Sequence, residues 1–299
     1  MKVLAPKILF IAIISAGMAI LLVNKSINKN EGIAPPIADV SSGETMSLTE
    51  YNSASEIPTR NDDSQIKVSA AGAYLMNGNE PLYAFRSQKQ WPIASVTKLM
   101  TTLVTRKLMA KTETITMDEE AIAAFGEAGD FKTGERFTAE DLVQAMLLVS
   151  SNDAAKALAD HYGKEKFVAE MNRLATDIGM TNTIFVDATG LSLRNLSTSD
   201  DLSKLVRFIW SEDPGIFTIT RLPYANIHDI DGGRSRKLDN INLFAGRSNF
   251  LGGKTGHLPD SNGNLVSIFN LPDKSSPVII VVLGAEDRFK ETERILRKL

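Results

Sequence analysis

Cysteine is absent from the 299-residue chain, which excludes disulfides and thiolate metal sites. Histidine is scarce: only His161, His228 and His257 occur. No two of them stand at the spacing of an H-E-x-x-H helix, so neither a metal centre nor a metal cofactor is expected. There is no strong excess of one charge. A net charge of −3 gives no reason to expect nucleic acid as a partner. Internal repeats are lacking too, and a long uncharged apolar run occurs only near the N-terminus.

That run covers residues 8–23 and follows Lys2 and Lys7. A basic start before an apolar segment reads as a membrane anchor or a signal segment, residues 1–23 in all. An uncleaved anchor is the better fit, because Met18 to Val23 follow the small residues Ser15, Ala16 and Gly17. Residues 24–65 are rich in Ser, Asn, Glu, Pro and Thr without apolar periodicity, the composition of a flexible tether. Residues 66–299 are then expected to fold as one catalytic domain.

Within that domain, residues 68–76 are apolar and strand-like. Asn77-Gly78 marks a hairpin turn, and residues 81–87 return. Residues 114–117 suit a short strand, residues 118–125 a helix, and residues 131–137 a surface turn. Thr138 and Asp141 resemble a capping box at the head of a helix. Ser150-Ser151-Asn152 interrupts the apolar pattern, which resumes from Asp153 to Tyr162. Further helices are expected over 167–179, ending at Gly179, and over 198–210, capped by Thr198 or Ser199. Residues 264–271 and 278–285 are strand-like, and residues 287–299 form a charged amphipathic helix. Strands open and close the domain and helices fill its middle. The expectation is α+β: one antiparallel sheet drawn from both ends of the domain, with a helical subdomain between.

Three short motifs stand in this frame. Ser95 and Lys98 are three residues apart behind Pro92, at a helix start. There i and i+3 share a face, and a neutral lysine could take the serine proton. Ser150-x-Asn152 puts a hydroxyl and an amide at the break between two helices. Lys254-Thr255-Gly256 precedes the strongly strand-like segments. Lys132-Thr133-Gly134 repeats the last tripeptide, but it precedes Ser150 and lacks a strand pattern.

Together, in order and in context, these motifs resemble the low-molecular-mass penicillin-binding proteins, the serine D-Ala-D-Ala carboxypeptidases and endopeptidases. The likeness covers about residues 65–299. The segment Asp187-Ala-Thr-Gly190-Leu191-Ser192-Leu-Arg-Asn195, with Ser197 to Leu202, strengthens it. Its Thr-Gly-Leu-Ser…Asn form is nearer the endopeptidase branch.

The resemblance implies a β-lactamase/transpeptidase-like fold and a role for each residue. Ser95 would attack the carbonyl between two D-alanines, giving an acyl-enzyme. Lys98 would take the serine proton, and Ser150 would relay a proton to the leaving amine. Asn152 would hold the substrate amide, and Lys254 and Thr255 its carboxylate. Gly256 would leave room for the peptide, and the N–H groups of Ser95 and His257 would form the oxyanion hole. Lys98 and Lys254 facing one pocket would lower each other's pKa. Implied partners are peptidoglycan stem peptides and β-lactams as covalent inhibitors; no cofactor is implied. The implied location is the outer face of the bacterial cytoplasmic membrane, or the periplasm if the first segment is removed. One rival is a β-lactamase, but the Glu-x-x-Leu-Asn stretch of that class is missing between Asn152 and Lys254. The other is a non-catalytic wall-binding protein, against which all three intact motifs count.

Overall fold

Eight residues of almost unbroken β-branched and leucine character, Val278–Ala285, cannot tolerate a wet face. In the structure, a computed structural model describing residues 66–299 apart from Asn79 and Glu127, they form the central strand of a five-stranded antiparallel sheet. The expected N-terminal segment and the tether lie outside the described residues. Among the described residues no helix is long and apolar enough to cross a membrane.

The chain enters through β1 (Ala70–Leu75) and β2 (Pro81–Phe85), paired across the expected hairpin. The two-residue β3 (Trp91–Pro92) leads into a single 3-10 turn, Ala94–Thr97, and then α1 (Lys98–Leu108). Next come β4 (Thr114–Thr116), the one-turn α2 (Glu119–Ile122) and β5 (Arg136–Thr138). The helical middle holds α3 (Ala139–Leu148), α4 (Asn152–Tyr162) and α5 (Lys164–Ile178). After β6 (Leu196–Ser197) it continues with α6 (Ser199–Glu212) and the short α7 (Gly215–Thr220). A separate hairpin, β7 (Tyr224–His228) with β8 (Ser235–Asp239), precedes β9 (Phe250–Leu258), β10 (Asn262–Phe269), β11 (Val278–Ala285) and the closing helix α8 (Arg288–Lys298).

The sheet order is β2-β1-β11-β10-β9, so strands from both ends of the domain do meet, Ala70 opposite Leu283. One core lies between the sheet and the helices, where Ile279, Val281 and Leu283 meet Leu99, Met100 and Ile209. A smaller core on the other face gathers Val278, Ile280, Val282, Phe244, Phe250 and Phe269 under Ile295 of α8. Each such fully buried side chain contributes roughly 1.5–3 kcal/mol of transfer free energy before entropy is counted.

Several local expectations need correction. Ser95 sits on the 3-10 turn before α1, not in the first α-helical turn. The i→i+3 geometry of that turn eclipses positions 95 and 98. Helix α4 begins at Asn152 because Ser151 caps it, accepting from Ala154 N–H at 3.2 Å. Residues 131–137 are not a wholly exposed turn: the Phe131 and Phe137 rings are buried edge to face, 5.1 Å apart. The capping pair at α3 differs from a capping box as well, since Asp141 accepts from the Thr138 hydroxyl at 2.7 Å while Thr138 accepts from Asp141 N–H.

Candidate active site

The 3-10 turn carrying Ser95 is held from three directions. Asn264 of β10 donates to Pro92 O at 2.9 Å, and Trp91 Nε1 donates to Ser261 O at 2.9 Å. Asn195 donates to Thr97 Oγ1 at 3.1 Å, while its own carbonyl accepts from Ile93 N–H at 3.0 Å. On the sheet side Gly256 of β9 lies directly against the turn. A Cβ there would sit 2.6 Å from Ile93 O and 3.2 Å from Ser95 N, so only glycine allows the approach. The price of this tightness is backbone strain: Ala94, just before Ser95, has φ +48°, and Ser150 has φ +62°.

Lys98 is fully buried. Its Nζ lies 3.0 Å from Ser95 Oγ, 2.7 Å from Asn152 Oδ1 and 2.5 Å from Thr189 O. Two of these neighbours can only accept, because Asn152 turns its Nδ2 to Phe125 O at 2.6 Å. A neutral amine meets this environment fully: its two N–H bonds go to the two carbonyl oxygens, and its lone pair is left for the serine O–H. Burial pushes the Lys98 amine down to about 7, while the carboxylate of Asp187 pulls the other way.

Lys254 is buried as well, on β9, and donates to Ser150 Oγ and to Thr255 O, each at 2.9 Å. Its pKa is held well below the ordinary value by burial first, then by the charges of Lys98 and Arg288. The expectation of mutual depression therefore holds for Lys254, whereas burial accounts for Lys98. His257 follows on the same strand with its side chain exposed. The eight residues singled out in the sequence fall on the 3-10 turn, α1, the turn before α4 and its first residue, and β9; Lys98 joins Ser95 to Asn152, Lys254 meets Ser150, and Gly256 lies against the turn of Ser95. Lys132-Thr133-Gly134 lies elsewhere, with Gly134 in the turn before β5.

Three further residues belong to the arrangement. Arg288 opens α8 beside Gly263 of β10 and places its charge near Lys254. Its buried Nε has no partner among the described residues. No local pattern marks it, since its place depends on where α8 starts relative to β9. Phe125 contributes its carbonyl to Asn152 while its side chain is 82% exposed. Asp187 accepts from Thr189 N and Oγ1 at 2.7 Å each, from Gly190 N at 2.6 Å and from Ser192 N at 2.9 Å. That carboxylate shapes the turn whose Thr189 carbonyl meets Lys98.

The family model described as D-alanyl-D-alanine carboxypeptidase matches residues 15–287. A D-alanyl-D-alanine endopeptidase of Pseudomonas aeruginosa is 34% identical over 173 residues, 54% of this chain and 54% of that protein. The D-alanyl-D-alanine carboxypeptidase DacC of Escherichia coli is 30% identical over 245 residues, 76% of this chain and 58% of that protein. The chain spans about half the length of the curated relatives it matches. Among solved structures, penicillin-binding protein D2 of Listeria monocytogenes with ampicillin bound superposes with a TM-score of 0.69 at 28% identity, over 79% of this chain and 98% of that one.

Proposed function

The chain belongs to the D-alanyl-D-alanine carboxypeptidase family, and we propose that it is a serine DD-peptidase acting on peptidoglycan stem peptides through an acyl-enzyme on Ser95. One observation carries this reading. The buried Lys98 amine has two acceptor-only neighbours and one hydroxyl neighbour, and that hydroxyl is Ser95.

In the mechanism, Ser95 Oγ attacks the carbonyl carbon of the penultimate D-alanine as its proton passes to the Lys98 lone pair. The oxyanion is met by the N–H groups of Ser95 and His257, which the close seat of Gly256 supports. Aimed backbone donors of this kind contribute about 2.7–4 kcal/mol each in comparable sites. The carbon–nitrogen bond then breaks, and Ser150, its oxygen held by Lys254, relays to the leaving amine the proton that Lys98 took from Ser95, so that Ser150 and Lys98 both end as they began. Water next splits the ester, releasing the shortened peptide acid and restoring the serine O–H. Lys254, Thr255 and Arg288 form the cationic end that holds the substrate carboxylate, and Asn152 holds the amide on the other side with its remaining N–H.

The Thr189-Gly190-Leu191-Ser192…Asn195 segment favours cleavage of cross-links over trimming of a terminal alanine. A β-lactamase is disfavoured because Asp187, the carboxylate whose charge acts on Lys98, is bound to donors of its own turn and the Glu-x-x-Leu-Asn stretch of that class is missing. We also infer that residues 1–23 hold the domain outside the cytoplasm. Retention of the chain in membranes washed with alkaline carbonate supports an anchor; release into the wash supports removal of that segment.

The deciding experiment is digestion of a defined muropeptide mixture with products weighed by mass spectrometry. Splitting of cross-linked dimers is expected from the wild type, and loss of one alanine from monomers would make it a carboxypeptidase. Ser95→Ala is expected to reduce turnover by about a thousandfold or more. Full activity in that variant would remove Ser95 from its role.

A further inference from the structure

Between Gly263 and Leu265 the register of β10 against β11 slips: Gly263 faces Ala285, whereas Leu265 faces Val282. β11 uses one residue more than β10 across this step, a bulge at Leu283 and Gly284 opposite Asn264. Gly284 accommodates the bulge with φ +70°. Asn264 is fully buried, and its side-chain oxygen accepts from Gly284 N–H at 2.9 Å. With the oxygen so committed, the Nδ2 end of the amide donates to Pro92 O at 2.9 Å, three residues before Ser95.

The residue of β9 in register with Asn264 is Gly256. Gly256 is also the residue pressed against the nucleophile's turn, where a Cβ would meet Ile93 O and Ser95 N. One position of the sheet therefore touches the turn twice, by a side chain from β10 and by bare backbone from β9. The two contacts oppose each other. Gly256 limits how near the turn comes, and Asn264 limits how far it withdraws. Neither touches Lys98, whose amine is held by Ser95, Asn152 and Thr189. We propose that Asn264 is a positioning residue for the oxyanion hole, setting the gap between the N–H of Ser95 and the N–H of His257, the neighbour of Gly256. This rests on the acyl-enzyme chemistry proposed above and adds to it a residue from a strand that carries none of the three motifs.

Penicillin acylation tests the proposal, because the β-lactam carbonyl places its oxyanion in the same hole as a peptide. Asn264→Leu keeps the bulk of the side chain and removes both hydrogen bonds. Asn264→Ser, which leaves room for a water, takes its place if the first does not fold, and thermal melting decides between them. In the folded variant the acylation rate constant should fall about tenfold to a hundredfold, while the Kd of the preceding noncovalent complex changes by less than about threefold. The rising pH limb of acylation should stay where it is in the wild type. In infrared difference spectra of the acyl-enzyme, the ester carbonyl band should move to higher wavenumber as its hydrogen bonds lengthen. Trp91→Phe removes the other bond between this segment and the sheet, Trp91 Nε1 to Ser261 O, and should leave rate constant and band close to wild type. An unchanged rate constant, a loss confined to Kd, or a slower reaction with an unmoved band overturns the proposal. So does the same loss and shift in Trp91→Phe. Wild-type protein that is acylated by penicillin but cuts no muropeptide removes the peptidase reading alone, since the role of Asn264 is read on penicillin. Wild-type protein that penicillin does not acylate removes both.

Discussion

Gly190 lies against Ala94: a Cβ on Gly190 would come within 2.1 Å of the Ala94 carbonyl oxygen and 2.9 Å of Ser95 N. Gly190 also has φ +83°, a conformation that side chains rarely adopt. The 187–192 turn and the nucleophile's turn are thus pressed together backbone to backbone. Gly190→Ala is expected to cost about 2–4 kcal/mol of stability, through both overlap and strain. Thermal melting measures that loss. Penicillin acylation of the surviving folded protein should also slow, because the overlap displaces the residue before Ser95. A variant that melts and acylates like the wild type would contradict the close seat.

The rate of Ser95 acylation should rise with pH through about 7, where burial sets the Lys98 amine. The sign follows from chemistry: the neutral amine accepts the serine proton, and its fraction grows as pH passes its pKa. Asp187 favours the charged amine, so removing its charge lowers that pKa. Asp187→Asn, which keeps one oxygen for the Thr189 and Gly190 N–H groups, should move the rising limb to lower pH by about one pH unit. Stopped-flow acylation across pH 5–9 reads this directly, and a limb that stays in place would remove Asp187 from the electrostatics of Lys98.

Bound penicillin should leave slowly, because the Glu-x-x-Leu-Asn stretch is missing and Asp187 serves the N–H and O–H donors of its own turn. In intact-mass spectra, the adduct on Ser95 should persist after free drug is removed. The same Asp187→Asn change should alter its release by less than about twofold, since no base is lost. Rapid return of free enzyme in the wild type, abolished by that substitution, would mark a water-activating carboxylate and a β-lactamase.

Arg288→Ala should weaken the site for a free terminal carboxylate far more than for the matching amide. Charge-assisted bonds of this kind contribute about 1.5–3 kcal/mol, so KM for the acid should rise roughly tenfold to a hundredfold. Peptides ending in acid or amide, compared in both proteins, give the contrast. Equal effects on the two would place Arg288 outside carboxylate binding.

The elements that carry the candidate side chains were legible because local patterns place them. A 3-10 turn aligns 95 with 98, a serine cap at 151 sets Ser150 and Asn152 on either side of a helix start, and β9 carries Lys254 to Gly256. The sheet drawn from both ends of the domain was legible for a similar reason, as its central strand is too apolar to lie elsewhere. What escaped depends on distant partners. The β7–β8 hairpin was not foreseen, since its inward-facing Arg236 breaks the apolar alternation. In the fold that guanidinium is accommodated by Glu135 and by the rings of Phe131 and Phe137. Arg288 and the exposed Phe125 acquire meaning only from neighbours brought in by α8 and α4.

The place of β11 between β1 and β10 has a consequence for synthesis. Until residues 278–285 have been synthesised, the opening hairpin has no strand to dock on, and β9 and β10 have no support on their inner edge. Ser95 and Lys254 are therefore expected to be brought together only once β11 is in place. A chain interrupted upstream of Val278 carries all three motifs and is expected to leave Ser95 unreactive towards penicillin.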